Sequence, residues 1–128
     1  MTYRNSIKDF NYYGSDLNKY IDDNCIREMT VINIDCLQFK TDKKIIRIIE
    51  SKHENEIMPK SQSKILYVLS GLFNLLNEIQ SDYKIYVYSI KGDYPYDSVK
   101  IYNFNTAENK TVNKKEFLDF LNFKLEFQ

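Results

Sequence analysis

Apolar residues along this chain fall into segments with two distinct spacings. Over 61–80 they recur three or four positions apart, at Ile65, Leu66, Leu69, Leu72, Phe73, Leu76 and Ile79. That spacing predicts an amphipathic helix, opened by Pro59 and Ser61. Gly71 lies inside the apolar stripe and reads as a close-packing position. A shorter helix is expected over 16–21, with Ser15 as N-cap, Leu17, Tyr20 and Ile21 on one face, and Asp22-Asp23-Asn24 as its break. A last helix is expected over about 113–122, where Asn113 and Glu116 form a capping-box pattern ahead of Phe117, Leu118, Phe120 and Leu121. Runs rich in β-branched and aromatic residues predict strands at about 30–39, 44–52, 84–90 and 99–104. Thr41-Asp42-Lys43 and Gly92-Asp93-Tyr94-Pro95 supply the turn chemistry between them. The resulting order is α-β-β-α-β-β-α. No repeat, low-complexity tract or linker interrupts it, so the expectation is a single α/β domain over 1–128, with a mixed central β-sheet flanked by helices.

One strand breaks its own pattern. Ile45-Ile46-Arg47-Ile48-Ile49 is apolar enough to be buried, yet it runs on into Glu50-Ser51-Lys52. Charges on such a strand are costly unless paired, metal-bound or at the edge of the core. The preceding strand carries a second misplaced acid, Asp35. Pleat alternation puts Val31, Asn33, Asp35, Leu37 and Phe39 on one face, and Ile46, Ile48, Glu50 and Lys52 on one face of the next strand. The turn decides whether the acids meet. A four-residue loop at 41–44 pairs Lys40 with Ile45 and sets Asp35 opposite Glu50. A two-residue turn makes them diagonal neighbours on the same face, and a three-residue loop separates them.

Like charges facing one another on a sheet are destabilising. A divalent cation between them removes that penalty, and hard carboxylate oxygens suit Mg²⁺. Such an ion polarises a phosphoryl oxygen and lowers the pKa of a bound water. Lys52, on the same face, would orient or help deprotonate that water, or offset charge developing on the phosphate. The Ser51 carbonyl is the natural further ligand, since no third acid is close in sequence. The acid-x-lysine spacing also occurs at Asp42/Lys44, Asp82/Lys84 and Glu108/Lys110, but only Glu50/Lys52 closes an apolar strand.

Composition narrows the field. With 43% apolar and 15% aromatic residues, the 128-residue chain has the makings of an ordered core. Lys+Arg and Asp+Glu both number 18, so the basic excess usual in duplex-gripping proteins is missing. Cys25 and Cys36 are too few and too far apart for a zinc site or a disulfide framework, which points to a reducing, intracellular setting. No secretory leader and no apolar run near 18 residues is evident, so neither secretion nor membrane spanning is expected. His53, the one histidine, is turned by the pleat to the face opposite Lys52 and reads as a loop residue. Lys60, Lys64, Lys91 and Lys100 read as solvated lysines, with phosphate contact as the alternative. The tyrosines of 83–102 read as core or sheet surface, with base stacking as the minor alternative. There is no phosphate-binding glycine loop and no nucleophile elbow.

With Asp35 on one strand and Glu50-x-Lys52 on the next, residues 14–104 resemble the PD-(D/E)XK nuclease superfamily. Its core is a helix, three mostly antiparallel strands, a helix and a further strand, a restriction-endonuclease-like arrangement. Tyr13-Gly14, Asn33-Ile34-Asp35 and Ile49-Glu50-Ser51-Lys52-His53 are similar to phrases in small phage and prokaryotic members. No proline precedes Asp35, a departure from the motif's name. The resemblance implies a metal-dependent DNA endonuclease using Mg²⁺, with Mn²⁺ able to substitute, and Asp35, Glu50 and Lys52 as its catalytic residues. It adds two further site positions: an acid on the first helix, for which Asp16 stands here with Asp22 as the alternative, and a glutamine on the second, for which Gln62 stands. Cutting both strands of a duplex would call for a homodimer. The competing expectations are a non-catalytic nucleic-acid- or protein-binding module of the same fold and a structural or regulatory protein, either from a phage or mobile element.

Overall fold

The computed structural model describes residues 16–26, 34–79 and 82–125. The chain divides into two units, Met1–Asn33 and Ile34–Gln128. In the first unit, helix α1 spans Asp16–Asn24 and so runs through the expected break at Asp22-Asp23-Asn24. Two local interactions carry it on: Lys19 lies 3.4 Å from Asp23 one turn later, and the Asn24 side chain donates to the Tyr20 carbonyl at 2.9 Å. Such contacts offset the poor helix propensity of Asp and Asn. Ser15 lies outside the described residues.

The second unit holds β1 (Cys36–Lys40), β2 (Ile45–Lys52), α2 (Lys60–Ile79), β3 (Lys84–Lys91), β4 (Ser98–Asn103), β5 (Glu108–Asn113) and α3 (Lys114–Leu121). The strands form one mixed sheet in the order β1-β2-β3-β4-β5. β2 and β3 are parallel, joined through α2, and every other neighbouring pair is antiparallel. The protein is therefore a small α/β fold with, among the described residues, a five-stranded mixed sheet and three helices. The expected first strand, at about 30–39, begins here only at Cys36, and residues 30–33 lie outside the described residues.

β5 is a strand the expected order lacks. Only Val112 of its six residues is buried, and Asn109, Lys110 and Thr111 face solvent. Such a strand shows no apolar alternation and is defined by its backbone ladder to β4, from Ser98↔Asn113 to Asn103↔Glu108. Polar and charged side chains suit a sheet edge, where they discourage pairing with another chain.

Alternation on β2 sends Ile48 and Ile49 into different cores. Ile48 packs with Leu66, Val87 and Phe104 beneath α2, while Ile49 packs with Tyr88, Ile101, Val112, Phe117 and Phe120 beneath α3. The capping box of α3 forms as expected: the Asn113 side chain accepts from the Glu116 N–H at 2.8 Å, and the Glu116 carboxylate accepts from the Asn113 N–H at 3.0 Å. Helix α2 matches its expected span, but its buried residues are Gln62, Leu66 and Ser70, while Ile65, Leu72, Leu76 and Ile79 stay exposed. The role expected of Gly71 is corrected with it. Gly71 is exposed, and a Cβ there would meet nothing within 4 Å, so it makes no close approach. Its apolar stripe is wider than the face that packs.

Candidate active site

Residues 41–44 form a four-residue loop, and Lys40 pairs with Ile45. The ladder continues to Cys36↔Ile49, so its next step sets Asp35 beside Glu50. Asp35 lies just before β1 in an exposed bend, where its Oδ2 accepts a hydrogen bond from the Ser51 N–H at 2.9 Å. That bond ties the end of β2 to the acid on the neighbouring segment.

Glu50 is 5% exposed, on the face beneath α2. Gln62, in the first turn of α2 and 8% exposed, donates from Nε2 to Glu50 Oε1 at 2.8 Å. Lys52 Nζ stands 3.7 Å from the same oxygen and 3.9 Å from Glu56 Oε2. Burial pushes the Glu50 carboxyl up to about 7, aided by the Asp35 charge and a hydrogen bond shared with Asp35; Lys52 and Gln62 pull it down less strongly. Two carboxyls in contact, one of them buried, hold a proton more readily than two charges. Asp35 also helps raise the Cys36 thiol, after burial.

Topology gathers these groups. A parallel β2–α2–β3 unit brings the carboxyl ends of two strands and the amino end of the connecting helix to one place, the usual ligand-binding edge of an α/β sheet. The positive end of the α2 dipole favours anions there. The parallel register aligns Glu50 with Ser89 and Lys52 with Lys91.

Asp35, Glu50, Ser51, Lys52 and Gln62 thus come together in one cluster. Asp16 heads α1 in the other unit. His53 is exposed in the loop after β2, where its Nδ1 lies 3.0 Å from Asp93 Oδ1. Glu56, which the strand pattern did not reveal, reaches Lys52 because a turn folds 53–56 back on itself: the Glu56 N–H donates to the His53 carbonyl, and the His53 N–H donates to Glu56 Oε1. No apolar period marks such a turn.

The donors fit a hard divalent cation with few protein ligands. Among the described residues no three His, Cys, Asp or Glu side chains converge, so two carboxylates would be joined by a backbone oxygen and water, as Mg²⁺ accepts. The N–H and C=O of one strand residue point to the same edge. The Ser51 carbonyl therefore faces the side on which its N–H meets Asp35, whereas the Lys52 carbonyl is taken by the Gly92 N–H at 3.0 Å.

No protein-family model matches this chain, and neither a curated protein nor a solved structure matches it. The geometry stands alone.

Proposed function

We propose that this protein is a metal-dependent nuclease of the PD-(D/E)XK type that hydrolyses phosphodiester bonds in DNA. One observation carries the reading: a buried Glu50 stands 3.7 Å from the Lys52 ammonium, with Asp35 held beside it by the Ser51 N–H, at the carboxyl ends of a parallel strand pair. Asp35, Glu50 and the Ser51 carbonyl would hold Mg²⁺ or Mn²⁺. The ion would supply electrophilic activation of the phosphate and a more acidic water.

The chain's own groups do the rest. Gln62 fixes the Glu50 carboxylate through Oε1. The Ser51 N–H fixes Asp35. Lys52, held between Glu50 and Glu56, can donate to a phosphate oxygen as charge builds on it. The site needs Glu50 ionised, so activity should rise as pH climbs through about 7, the value to which its carboxyl is pushed. One chain offers one such site, so cutting both strands of a duplex would require two copies.

The test is cleavage of plasmid, branched and single-stranded DNA with Mg²⁺ or Mn²⁺, comparing wild type with Glu50→Gln and Lys52→Ala. We expect metal-dependent cutting that falls by about a hundredfold or more in each variant. No cutting by wild type in either metal would move the reading to a non-catalytic binding module, a reading with which the zero formal net charge is compatible.

A further inference from the structure

A cleft of about 300 Å³ opens beside the acid cluster and shares Lys52 and Glu56 with it. Its wall is aromatic. Tyr67 and Tyr102 pack edge-on against Phe104, each with ring centroids 4.8 Å away, and the two tyrosine hydroxyls are hydrogen-bonded to each other. Its charged lining is two lysines and one acid: the parallel register sets Lys91 beside Lys52, and of the two only Lys52 lies against Glu56. Lys91 has no ion-pair partner among the described residues. The cleft reaches from the acids across β3 to β4: Glu50 aligns with Ser89, and Ser89 with Tyr102.

An aromatic wall, hydroxyls at its edge and two ammonium groups at its mouth together match one chemistry. They suit a planar heteroaromatic ring carrying an anionic tail. The volume is at the small end for ligand pockets, which run from roughly 300 to 1,000 Å³. Resting on the nuclease reading, we infer that this cleft holds an unpaired nucleotide of the substrate strand: its base against Tyr67 and Tyr102, its phosphate between Lys91 and Lys52. A paired base cannot enter, because its faces are covered by neighbours in the stack and only its edges show in the grooves. An unpaired base offers its face to aromatic side chains at little cost. The substrate class is then a strand with unpaired nucleotides, such as a flap, loop or branch, and not a continuous duplex. Burial, with the Tyr67 hydroxyl, pushes Tyr102 up to about 12, which keeps its hydroxyl able to bond a base edge.

Binding tests this apart from cleavage. Fluorescence anisotropy in EDTA at fixed salt would compare a labelled oligothymidylate, a blunt duplex and unlabelled thymidine monophosphate as competitor. We expect wild type to prefer the single strand. Tyr67→Ala and Lys91→Ala should each weaken that binding about tenfold and leave duplex binding unchanged, while Tyr67→Phe, which keeps the ring, should bind nearly as wild type. Tyr67 and Lys91 are not buried, and thermal melting would establish that each variant folds. Equal affinity for strand and duplex, or a Tyr67→Ala protein that binds as wild type, would overturn the inference. So would displacement by the mononucleotide at the concentrations that serve for the oligonucleotide, which would make this a free-nucleotide pocket. Metal-dependent cutting indifferent to Tyr67 removes the cleft and leaves the nuclease; strand binding lost in Tyr67→Ala without any cutting removes the nuclease and leaves the cleft.

Discussion

Strand β2 buries two charges three residues apart, on opposite faces of the sheet, and treats them in opposite ways. Arg47 is fully buried, with its guanidinium 3.9 Å from the Phe123 ring centroid, 4.1 Å from that of Phe120 and 5.6 Å from that of Tyr88. It donates to the Phe120 carbonyl at the end of α3 and to Gln38 Oε1. Ring faces and a helix C-terminus both attract a cation, so the rings and the Phe120 carbonyl hold this charge and tie α3 to the sheet. Glu50 is almost as buried but faces Asp35, a like charge, and keeps a proton near neutrality. A buried charge held by ring faces and a helix end is structural. A buried charge whose nearest carboxyl opposes it is poised for a ligand.

Three substitutions test this contrast. The largest effect belongs to Arg47→Ala, which leaves a cavity among the Tyr88, Phe120 and Phe123 rings and removes the donor shared by the Phe120 carbonyl and Gln38 Oε1, and should cost about 3 kcal/mol in urea unfolding. A cost under ~1 kcal/mol would mean the aromatic cage contributes little, and the contrast would fail.

Glu50→Gln should have the opposite sign, and only at high pH. The Glu50 carboxyl sits at about 7 against an ordinary 4.5. Between those values the folded state keeps a proton the unfolded state has lost, so stability falls as pH rises through that window. The full shift is discounted for solvent at the cluster's exposed edge, leaving on the order of 2 kcal/mol. Glu50→Gln should therefore be more stable than wild type by about that much at pH 8 and equal to it below pH 4.5. Mg²⁺ at ten times its dissociation constant should return about 1.4 kcal/mol to wild type at pH 8 and none to the variant. A wild type whose stability does not change from pH 4.5 to 8 would show that the two acids do not compete.

The smallest effect is a control distant in character from both charges. Gly71 is mid-helix, exposed and free of close neighbours, so Gly71→Ala should stabilise by about 0.5–1 kcal/mol through helix propensity alone. Its cleavage and metal response should match wild type.

Much of the site was legible in the sequence because strand geometry is local. The pleat fixes which residues share a face, and the four-residue count of 41–44 then sets Asp35 beside Glu50. The triplet stood out since Glu50 and Lys52 close an apolar strand. Glu56 and the cleft did not show, because a turn at 53–56 and an aromatic wall drawn from α2, β4 and the turn after it leave no periodic mark. The apolar stripe of α2 was legible as a helix but not as to its packing face. Gln62 and Ser70 are buried, whereas Leu72 and Ile79 are exposed, and a moment of hydrophobicity does not say where a sheet will lie.

What depends on neighbours along the chain was already set in the sequence: the span of α2, the capping box of α3 and the strand character of β2, β3 and β4. The length of the β1–β2 loop was settled only by the ladder. Tertiary structure decided what depends on distant partners. Parallel pairing of β2 with β3 put Lys91 beside Lys52 and Ser89 beside Glu50, and packing of α2 on the sheet brought Gln62 to Glu50. The polar β5 became a strand only through its ladder to β4, and Arg47 became a buried cation only when α3 closed over it. The division follows from the physics: caps, turns and pleats are set by a few adjacent residues, while burial and charge pairing are set by which surfaces meet.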